Sequence, residues 1–332
     1  MSCPEATAWT QAHQRARQHL LREAEAGFPE AGHRMTFPHQ AGFGGAREQH
    51  EGRVFSLAIL GGLLLDAAEA LGGDPALQAL ATGLAEQVAA QRLADCAGGW
   101  SYFPDLPELP PDLDTLAAVL SLLARAAPQH LPLAAPALAL ARQQRTDEGC
   151  IPTFLMSDAD PPARREAMQR GVRLHWGHTA DADVLARFYT TMWRLDADTW
   201  GPSAPLDWLA AQQAADGAWR TPWYAGAHYP TRLVLDLFEA LAPQAPAAQA
   251  ARDFLRQSPP PTSALDLAVT GTPGTALLAL QQDDGAWPAS PWLQMPMGRP
   301  QGQVVRVLSW TSRTLTTAHG LRRAAQEVAR RG

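Results

Sequence analysis

One arrangement recurs along this chain: an apolar helix, a turn with a glycine and an aromatic residue, an irregular loop, and a second apolar helix. When the second helices are aligned by their apolar positions, one site near each helix start holds a charged residue, in order Arg53, Asp114, Asp183, Arg232 and Arg313. A unit of this size cannot bury its apolar face alone, so the repeat predicts helix pairs packed side by side. The spacing between copies is unequal, which places the variation, and the expected function, in the loops.

The composition is that of a helical globular chain. Hydrophobic residues make up 46% of 332 residues, and alanine and leucine dominate them. A net charge of −6 without a basic block argues against a nucleic-acid partner. The cysteines, Cys3, Cys96 and Cys150, lie too far apart for a disulfide framework and indicate a reducing cytoplasm. With no signal peptide and no apolar run long enough to span a bilayer, we expect one cytoplasmic domain over residues 1–332, flanked by a helix within residues 1–30.

The region around residues 98–117 contains the strongest local pattern. A Gly-Gly-Trp turn leads through a proline-containing loop to Asp112 and Asp114, which open an apolar run. The prolines forbid a helix through the loop and favour a start just after it. Asp112 is suited to cap that helix, and both acids suit the positive end of the helix dipole. Taken alone, the two aspartates are equally well explained as a capped helix start.

Two of the turns share a longer pattern, in which an apolar helix ends near a glutamine and is followed by Gly-Ala-Trp. The two copies are Trp208, Leu209 and Gln213 with Gly217, Ala218 and Trp219, and Leu278 and Gln282 with Gly285 and Trp287. The pattern resembles the Gln-Trp motif of squalene–hopene and oxidosqualene cyclases. The resemblance implies an all-α fold, an α/α toroid of paired inner and outer helices, like the acid-bearing domain of those class II terpene cyclases.

The Asp-x-Asp segment resembles the Pro-Asp-x-Asp-Asp-Thr-Ala motif of the same family, whose middle aspartate protonates the substrate. The resemblance implies that Asp114 is the general acid and Asp112 its support. Thr115 replaces the third aspartate, and its hydroxyl can still donate a hydrogen bond to a carboxyl. In the next repeat Asp183 is retained, while Arg187 replaces the histidine that orients the acid in the cyclases. Asp183 and Arg187 are therefore expected to shape the acid.

A cyclisation that passes through carbocations needs aromatic faces and protection from water. The rings expected to contact the substrate are Trp100, Tyr102, Phe103, Trp176, Tyr189, Trp223, Tyr229 and Trp310. Half or more of such rings usually serve only core or turn packing.

Three arginines, Arg53, Arg232 and Arg313, stand at aligned helix starts, where the helix dipole disfavours a positive charge. One explanation is that they bind an anionic head group, such as a diphosphate, where helix N-termini converge. The alternative is that each pairs with a nearby carboxylate, such as Glu51 or Asp236, in a structural network.

Arg187 separates two functional hypotheses. An Asp114 carboxyl that faces an aromatic pocket without an arginine contact favours a class II cyclase acting on a polyprenyl chain. An Asp114–Arg187 ion pair favours a non-catalytic toroid that binds an isoprenoid or a protein, with an Asp–Arg network at the cavity mouth, because an ionised aspartate has no proton to give.

A protonation-initiated cyclase needs no cofactor, and Mg²⁺ is expected only if the substrate carries a diphosphate. His175 and His178, with Asp181 and Asp183, have a spacing that permits a metal site, but they lie in a predicted loop and no metal is assigned. The expected partner is a small isoprenoid. The sequence leaves a peripheral membrane contact and the oligomeric state open.

Overall fold

A computed structural model describes residues 4–257, 261–271, 274–298 and 306–331, so Cys3 lies outside the described residues. Most of the described chain is helical. The helices are α1 (Pro4–Glu25), α2 (Val54–Ala70), α3 (Pro75–Ala90), α4 (Leu113–Ala126), α5 (Ala135–Gln144), α6 (Pro162–Gly171), α7 (Ala182–Leu195), α8 (Ala197–Trp200), α9 (Leu206–Ala211), α10 (His228–Leu241), α11 (Pro246–Gln257), α12 (Ala264–Thr270), α13 (Gly274–Leu280) and α14 (Arg313–Arg331).

The inner wall is a closed ring of helices. In order around the ring, α2 contacts α4, α4 contacts α7, α7 contacts α10, α10 contacts α12, α12 contacts α14, and α14 returns to α2. Outer helices lie against this wall, with α3 on α2 and α4, α11 on α10, and α1 on α14 and α13. The predicted all-α toroid is therefore confirmed. Helix α12, which falls in a stretch that the sequence left ambiguous, supplies the member that closes the ring.

In each Gln-Trp turn, the tryptophan side chain is hydrogen-bonded to the helix that precedes the turn. The indole Nε1 of Trp219 donates to the Leu209 carbonyl over 2.8 Å, and Trp287 donates to the Leu277 carbonyl over 2.7 Å. Both rings are almost fully buried. Each bond satisfies a carbonyl at the end of the preceding helix, one of the groups that a helix leaves unpaired.

The glutamine of the second turn is Gln281, which corrects the assignment of Gln282. Gln213 Nε2 donates to the carbonyls of Gly217 and Ala247, each over 2.9 Å. Gln281 Nε2 makes the equivalent pair of bonds to the carbonyls of Gly285 and Ala12, also over 2.9 Å. Gln281 stands six residues before Trp287, as Gln213 does before Trp219, so aligning the tryptophans gives the correct register.

The turn glycines are required by both backbone conformation and space. Gly217 has a φ of 86°, and a Cβ there would lie 2.4 Å from the Ala250 carbonyl oxygen of α11. Gly285 has a φ of 94°, and a Cβ there would lie 2.3 Å from the Arg15 carbonyl oxygen of α1. A side chain is disfavoured at this φ and would also push the adjacent outer helix away.

Two antiparallel hairpins lie beside the helix starts. Strand β1 (His33–Thr36) pairs with β2 (Gln49–Gly52), and β3 (Ser290–Met297) pairs with β4 (Arg306–Ser312). An isolated bridge joins Tyr224 to Leu293 of β3, which brings the loop before α10 onto this hairpin.

Further helical structure interrupts the long predicted loop of residues 149–183, where α6 is followed by a π-helical turn, Val172–Trp176. Within the described ranges, no helix combines the length and the apolarity needed to cross a bilayer.

Candidate active site

A small cavity, called here the acid pocket, lies where the N-termini of α4 and α7 meet the two hairpins. It measures about 50 Å³, room for a few water molecules. Its lining residues are His33, Phe55, Tyr102, Leu109, Asp112, Asp114, Thr153, Phe154, Val184, Trp223, Leu293, Gln294 and Met295. Two carboxyls therefore face a wall made mainly of aromatic and aliphatic groups.

Asp112 is the cap of α4, as predicted. Its Oδ1 accepts from the Thr115 backbone N–H over 2.7 Å, and its Oδ2 accepts from the Thr115 hydroxyl over 2.8 Å. Thr115 thus supports Asp112 rather than Asp114. Burial raises the pKa of Asp112 to about 7, and the charge of Asp114 adds to the effect, although the bonds from Thr115 oppose it.

Both oxygens of Asp114 are held by neighbouring side chains. Arg187 Nε donates to Oδ1 over 2.6 Å, and the Tyr224 hydroxyl donates to Oδ2 over 2.7 Å. Arg187 also donates from Nη2 to the hydroxyls of Tyr224, over 2.9 Å, and Tyr229, over 3.2 Å. These contacts fix the direction in which the Asp114 carboxyl points.

Arg187 is a charged group in an almost dry setting. Burial opposes its charge, but Tyr224, Asp114 and Tyr229 together hold its pKa well above the ordinary value. Its guanidinium carbon also lies 5.4 Å from the centre of the Phe55 ring, within the range of a cation–π contact. Arg187 therefore remains a cation beside Asp114.

Asp183 lies deeper than the other acids. Its side chain is fully buried, its Oδ2 accepts from Thr221 over 3.0 Å, and its Oδ1 has no hydrogen-bond partner among the described residues. Burial raises its pKa well above the ordinary value, and the charges of Asp181 and Asp114 act in the same direction. Asp183 is thus expected to be neutral. The neighbouring Asp181 accepts a hydrogen bond from Trp223 Nε1 over 2.7 Å.

The structure does not bring Arg53, Arg232 and Arg313 together at this site, and none of them lines the acid pocket. Arg53 donates to the carbonyls of Gly27 and Phe28, over 2.6 Å and 3.2 Å, and lies 3.2 Å from Glu51. Arg53 is therefore held by partners within its own chain, away from the acid pocket.

The other two arginines have carboxylate partners of their own. Arg232 donates from Nε to Asp236 over 2.7 Å, and Arg313 donates from Nη2 to Asp284 over 2.7 Å. Both contacts are intrachain ion pairs, which is the alternative explanation given by the sequence. An anion clamp formed by these three residues is not supported.

The predicted rings divide into two groups. Tyr102 and Trp223 line the acid pocket, Tyr229 contacts Arg187, and Trp310 stacks on the pocket residue His33 with ring centres 4.9 Å apart. The others serve packing or turns and do not line it; they are Trp100, Phe103, Trp176 and Tyr189. Trp100, for example, donates to the Val88 carbonyl over 2.8 Å, as the tryptophans of the Gln-Trp turns do.

Sequence reasoning missed Phe55 and the role of Tyr224. Phe55 is one apolar residue in an apolar helix and gives no signal of its own. Tyr224 belongs to a loop, and its contact with Asp114 depends on where that loop bridges β3.

The His175–His178 segment does not form a metal centre. His175 stacks on Phe43 with ring centres 4.4 Å apart, and a ring nitrogen of His178 lies 3.3 Å from the Phe154 carbonyl. Among the described residues, no group of three or more histidine, cysteine, aspartate or glutamate side chains is placed to hold a metal ion.

Comparison with known proteins identifies the fold. No protein-family model and no curated protein matches the sequence. The type II terpene cyclase MstE from Scytonema, in its apo form, has a TM-score of 0.69 at 18% identity, over 98% of this chain and 99% of that chain. A variant of MstE in complex with geranylgeranyl dihydroxybenzoate, its substrate, has a TM-score of 0.69 at 17% identity, over 99% of each chain.

A protein from Actinoplanes has a TM-score of 0.66 at 17% identity, over 97% of this chain and 99% of that chain. These similarities extend over nearly the full length of each chain. The chain therefore has the fold of a type II terpene cyclase.

Proposed function

We propose that this protein catalyses the protonation-initiated cyclisation of a polyprenyl substrate, with Asp114 as the general acid. The observation that carries the proposal is the placement of Asp114. Its carboxyl is fixed at both oxygens and faces a pocket of aromatic and aliphatic side chains, in the fold of type II terpene cyclases. The aromatic and aliphatic lining of the acid pocket suits the terminal alkene of a prenyl chain.

The proposed reaction is redox-neutral. Asp114 transfers its proton to one carbon of the terminal C=C bond, and the other carbon becomes a tertiary cation. Further C=C bonds of the chain attack in turn, each forming a ring bond and passing the charge on, until the last cation loses a C–H proton to water. Asp114 then regains a proton from the solvent, so the cycle has no net change in protons. The faces of Tyr102, Trp223 and Phe55 are placed to stabilise the first cation.

Arg187 and Tyr224 have a role in this scheme despite the ion pair. Both donate to the carboxylate that remains once Asp114 has given up its proton, and such bonds act where charge develops during the reaction. Because Asp112 and Asp183 are neutral in this scheme, neither places a negative charge beside Asp114. The catalytic set in this proposal is therefore Asp114, supported by Asp112, Asp183, Thr115, Arg187 and Tyr224.

The substrate class is suggested by the structural neighbour. MstE binds geranylgeranyl dihydroxybenzoate, so a prenylated aromatic acid is the first compound to test, followed by prenyl diphosphates and squalene. The proposal needs no metal for the proton transfer, and Mg²⁺ enters only with a diphosphate substrate. It places a single catalytic domain over residues 1–332 in the cytoplasm.

One observation favours the second candidate, a non-catalytic toroid that binds an isoprenoid. Asp114 and Arg187 form an ion pair over 2.6 Å, the geometry that the sequence argument assigns to a binding protein. In that case the pair closes the barrel and no proton is available.

Incubation of the wild type and of Asp114→Asn with the compound panel, followed by mass spectrometry and NMR of the products, tests the proposal. We expect cyclised product from the wild type and none from Asp114→Asn, which keeps the shape but has no carboxylic acid proton. Asp216→Asn is the matched control, because Asp216 pairs with Arg220 on the surface. If Asp114→Asn forms cyclised product at the wild-type rate, Asp114 is not the general acid. If the wild type binds the compounds without converting them, the second candidate is favoured.

A further inference from the structure

A second cavity lies further along the barrel axis than the acid pocket and is called here the arginine cavity. It measures about 170 Å³ and is lined by residues from all six inner helices. Its charged lining residues are Asp66, Arg125, Arg187, Arg194, Arg232, Asp236 and Arg322. Five arginines thus face two aspartates, in a chain whose net charge is −6.

Two of these arginines are neutralised by good contacts. Arg125 lies 2.8 Å from Asp66, and it also lies 3.0 Å from Glu69 just outside the cavity. Arg232 donates to Asp236 over 2.7 Å. The two aspartates of the lining are therefore already occupied by these two arginines.

Two of the remaining arginines, Arg194 and Arg322, have unused hydrogen-bond donors. The side chain of Arg194 is exposed and forms no ion pair or hydrogen bond with any described residue, and Arg322 reaches Asp66 only at 3.7 Å. The Nε of Arg322 is buried and has no hydrogen-bond partner within the described chain. This capacity consists of N–H donors that carry positive charge.

Two neutral groups that line the same cavity also have unused hydrogen-bonding capacity. His319 is 3% exposed, and neither of its ring nitrogens has a hydrogen-bond partner among the described residues. The buried hydroxyl of Thr190 also has none within those ranges. Leaving a buried polar group unpaired is destabilising, so such a cluster in one cavity calls for an explanation.

We propose that the arginine cavity binds a small oxyanion, a phosphate or carboxylate group. An oxyanion offers several acceptor oxygens and a negative charge, which match the donors of Arg194, Arg322, Thr190 and His319. Neither a cation nor an apolar group would satisfy them. If the oxyanion is the head group of the substrate, the inference rests on the proposed cyclase function, whereas a free ion does not require it.

Arg187 connects the two cavities. Its guanidinium holds Asp114 at the acid pocket, while its side chain also lines the arginine cavity. An oxyanion bound in the arginine cavity would therefore lie beside the residue that also holds the acid.

The test is binding of inorganic pyrophosphate and of benzoate, measured by calorimetry and thermal shift, with sodium chloride at matched ionic strength. We expect both anions to bind and to raise the melting temperature. Arg194→Gln and Arg322→Gln should each weaken binding by about tenfold, since each removes a hydrogen bond to a charged group. Arg220→Gln, a surface arginine outside the cavity, is the matched control and should bind as the wild type does.

Two kinetic arms separate the possible sources of the oxyanion. If it is a substrate head group, free pyrophosphate or benzoate inhibits competitively, and Arg194→Gln raises KM for an acidic substrate but not for its neutral ester. Non-competitive inhibition identifies a separate ion site, which also supports the inference.

The inference of an oxyanion site is overturned if the wild type binds neither anion. It is also overturned if the wild type and both variants bind the anions equally. Because binding is measured without turnover, this failure is distinct from a failure of the cyclase proposal. Arg194 is exposed, so Arg194→Gln tests the inference even if Arg322→Gln does not fold.

Discussion

Replacing Tyr224 with phenylalanine isolates one of the two hydrogen bonds that orient the proposed acid. The Tyr224 hydroxyl donates to Asp114 Oδ2 over 2.7 Å and accepts from Arg187 Nη2 over 2.9 Å. The substitution keeps the ring and its contact with Tyr229, whose ring centre lies 4.8 Å away. A hydrogen bond to a charged group contributes about 1.5–3 kcal/mol. If that bond strengthens as Asp114 loses its proton, its removal slows cyclisation by about ten- to a hundredfold.

Tyr229→Phe is the matched control. Its hydroxyl accepts from Arg187 over 3.2 Å and has no bond to Asp114 among the described residues, so we expect a loss of less than about tenfold, the value of one weak bond. The assay is single-turnover formation of cyclised product, quantified by mass spectrometry, with thermal unfolding to confirm folding. Equal losses in the two variants, or a Tyr224→Phe enzyme at the wild-type rate, would refute the orientation of Asp114 by Tyr224.

Three other outcomes follow from the geometry. Gly217→Ala should lower the free energy of unfolding in urea by about 2–5 kcal/mol, since it adds a backbone clash to an unfavourable φ, whereas Gly226→Ala, at a φ of 73° with nothing within 4 Å, should lose only about 1–2 kcal/mol. Trp287→Ala should lose about 3–5 kcal/mol in the same assay because the ring is buried between layers; an unchanged value would show that the turn does not join them. Asp183→Asn should retain part of the cyclisation rate, measured as product per unit time, because its neutral carboxyl supports Asp114 without giving a proton.

Local patterns predicted the parts of the structure that depend on local physics. The Asp112 cap, the inner helices and the buried tryptophans of the turns follow from proline position, apolar periodicity and a short motif. The contact between Asp114 and Arg187 could also be predicted, because both residues lie near the starts of adjacent inner helices, α4 and α7. Asp114 and Asp183 are each the second residue of their helix.

Arg53 and Arg313 do stand at helix starts, but Arg232 does not, because the start of its helix was misplaced. Proline is tolerated in the first turn of a helix, and α10 begins at His228, two residues before Pro230. Arg232 therefore lies one turn inside the helix and faces the arginine cavity instead of the helix N-terminus. The apolar pattern could not reveal this shift, because it continues unchanged through the proline.

The hairpin β3–β4 and the position of Tyr224 could not be predicted from the sequence, for a different reason. Pro291 and Pro296 interrupt the strand pattern of β3, so the segment reads as a loop. The pairing of β3 with β4 and its bridge to Tyr224 are long-range contacts. They determine which ring reaches Asp114, and no spacing along the chain encodes that choice.

The carboxyls around Asp114 give the molecule a characteristic pH dependence. The pKa of Asp112 is raised from 3.8 to about 7 in the folded protein, so between about pH 4 and 7 the unfolded chain releases a proton that the folded protein keeps. Stability therefore falls as pH rises through this window, by up to about 4 kcal/mol for three pKa units, and Asp183 acts in the same direction. Asp112→Asn should flatten the urea-unfolding free energy measured from pH 4 to 7, and parallel wild-type and variant curves would contradict the shift. Because ionised Asp112 would repel the negative charge that develops on Asp114 as it gives up its proton, cyclisation by the wild type should also decline above about pH 7.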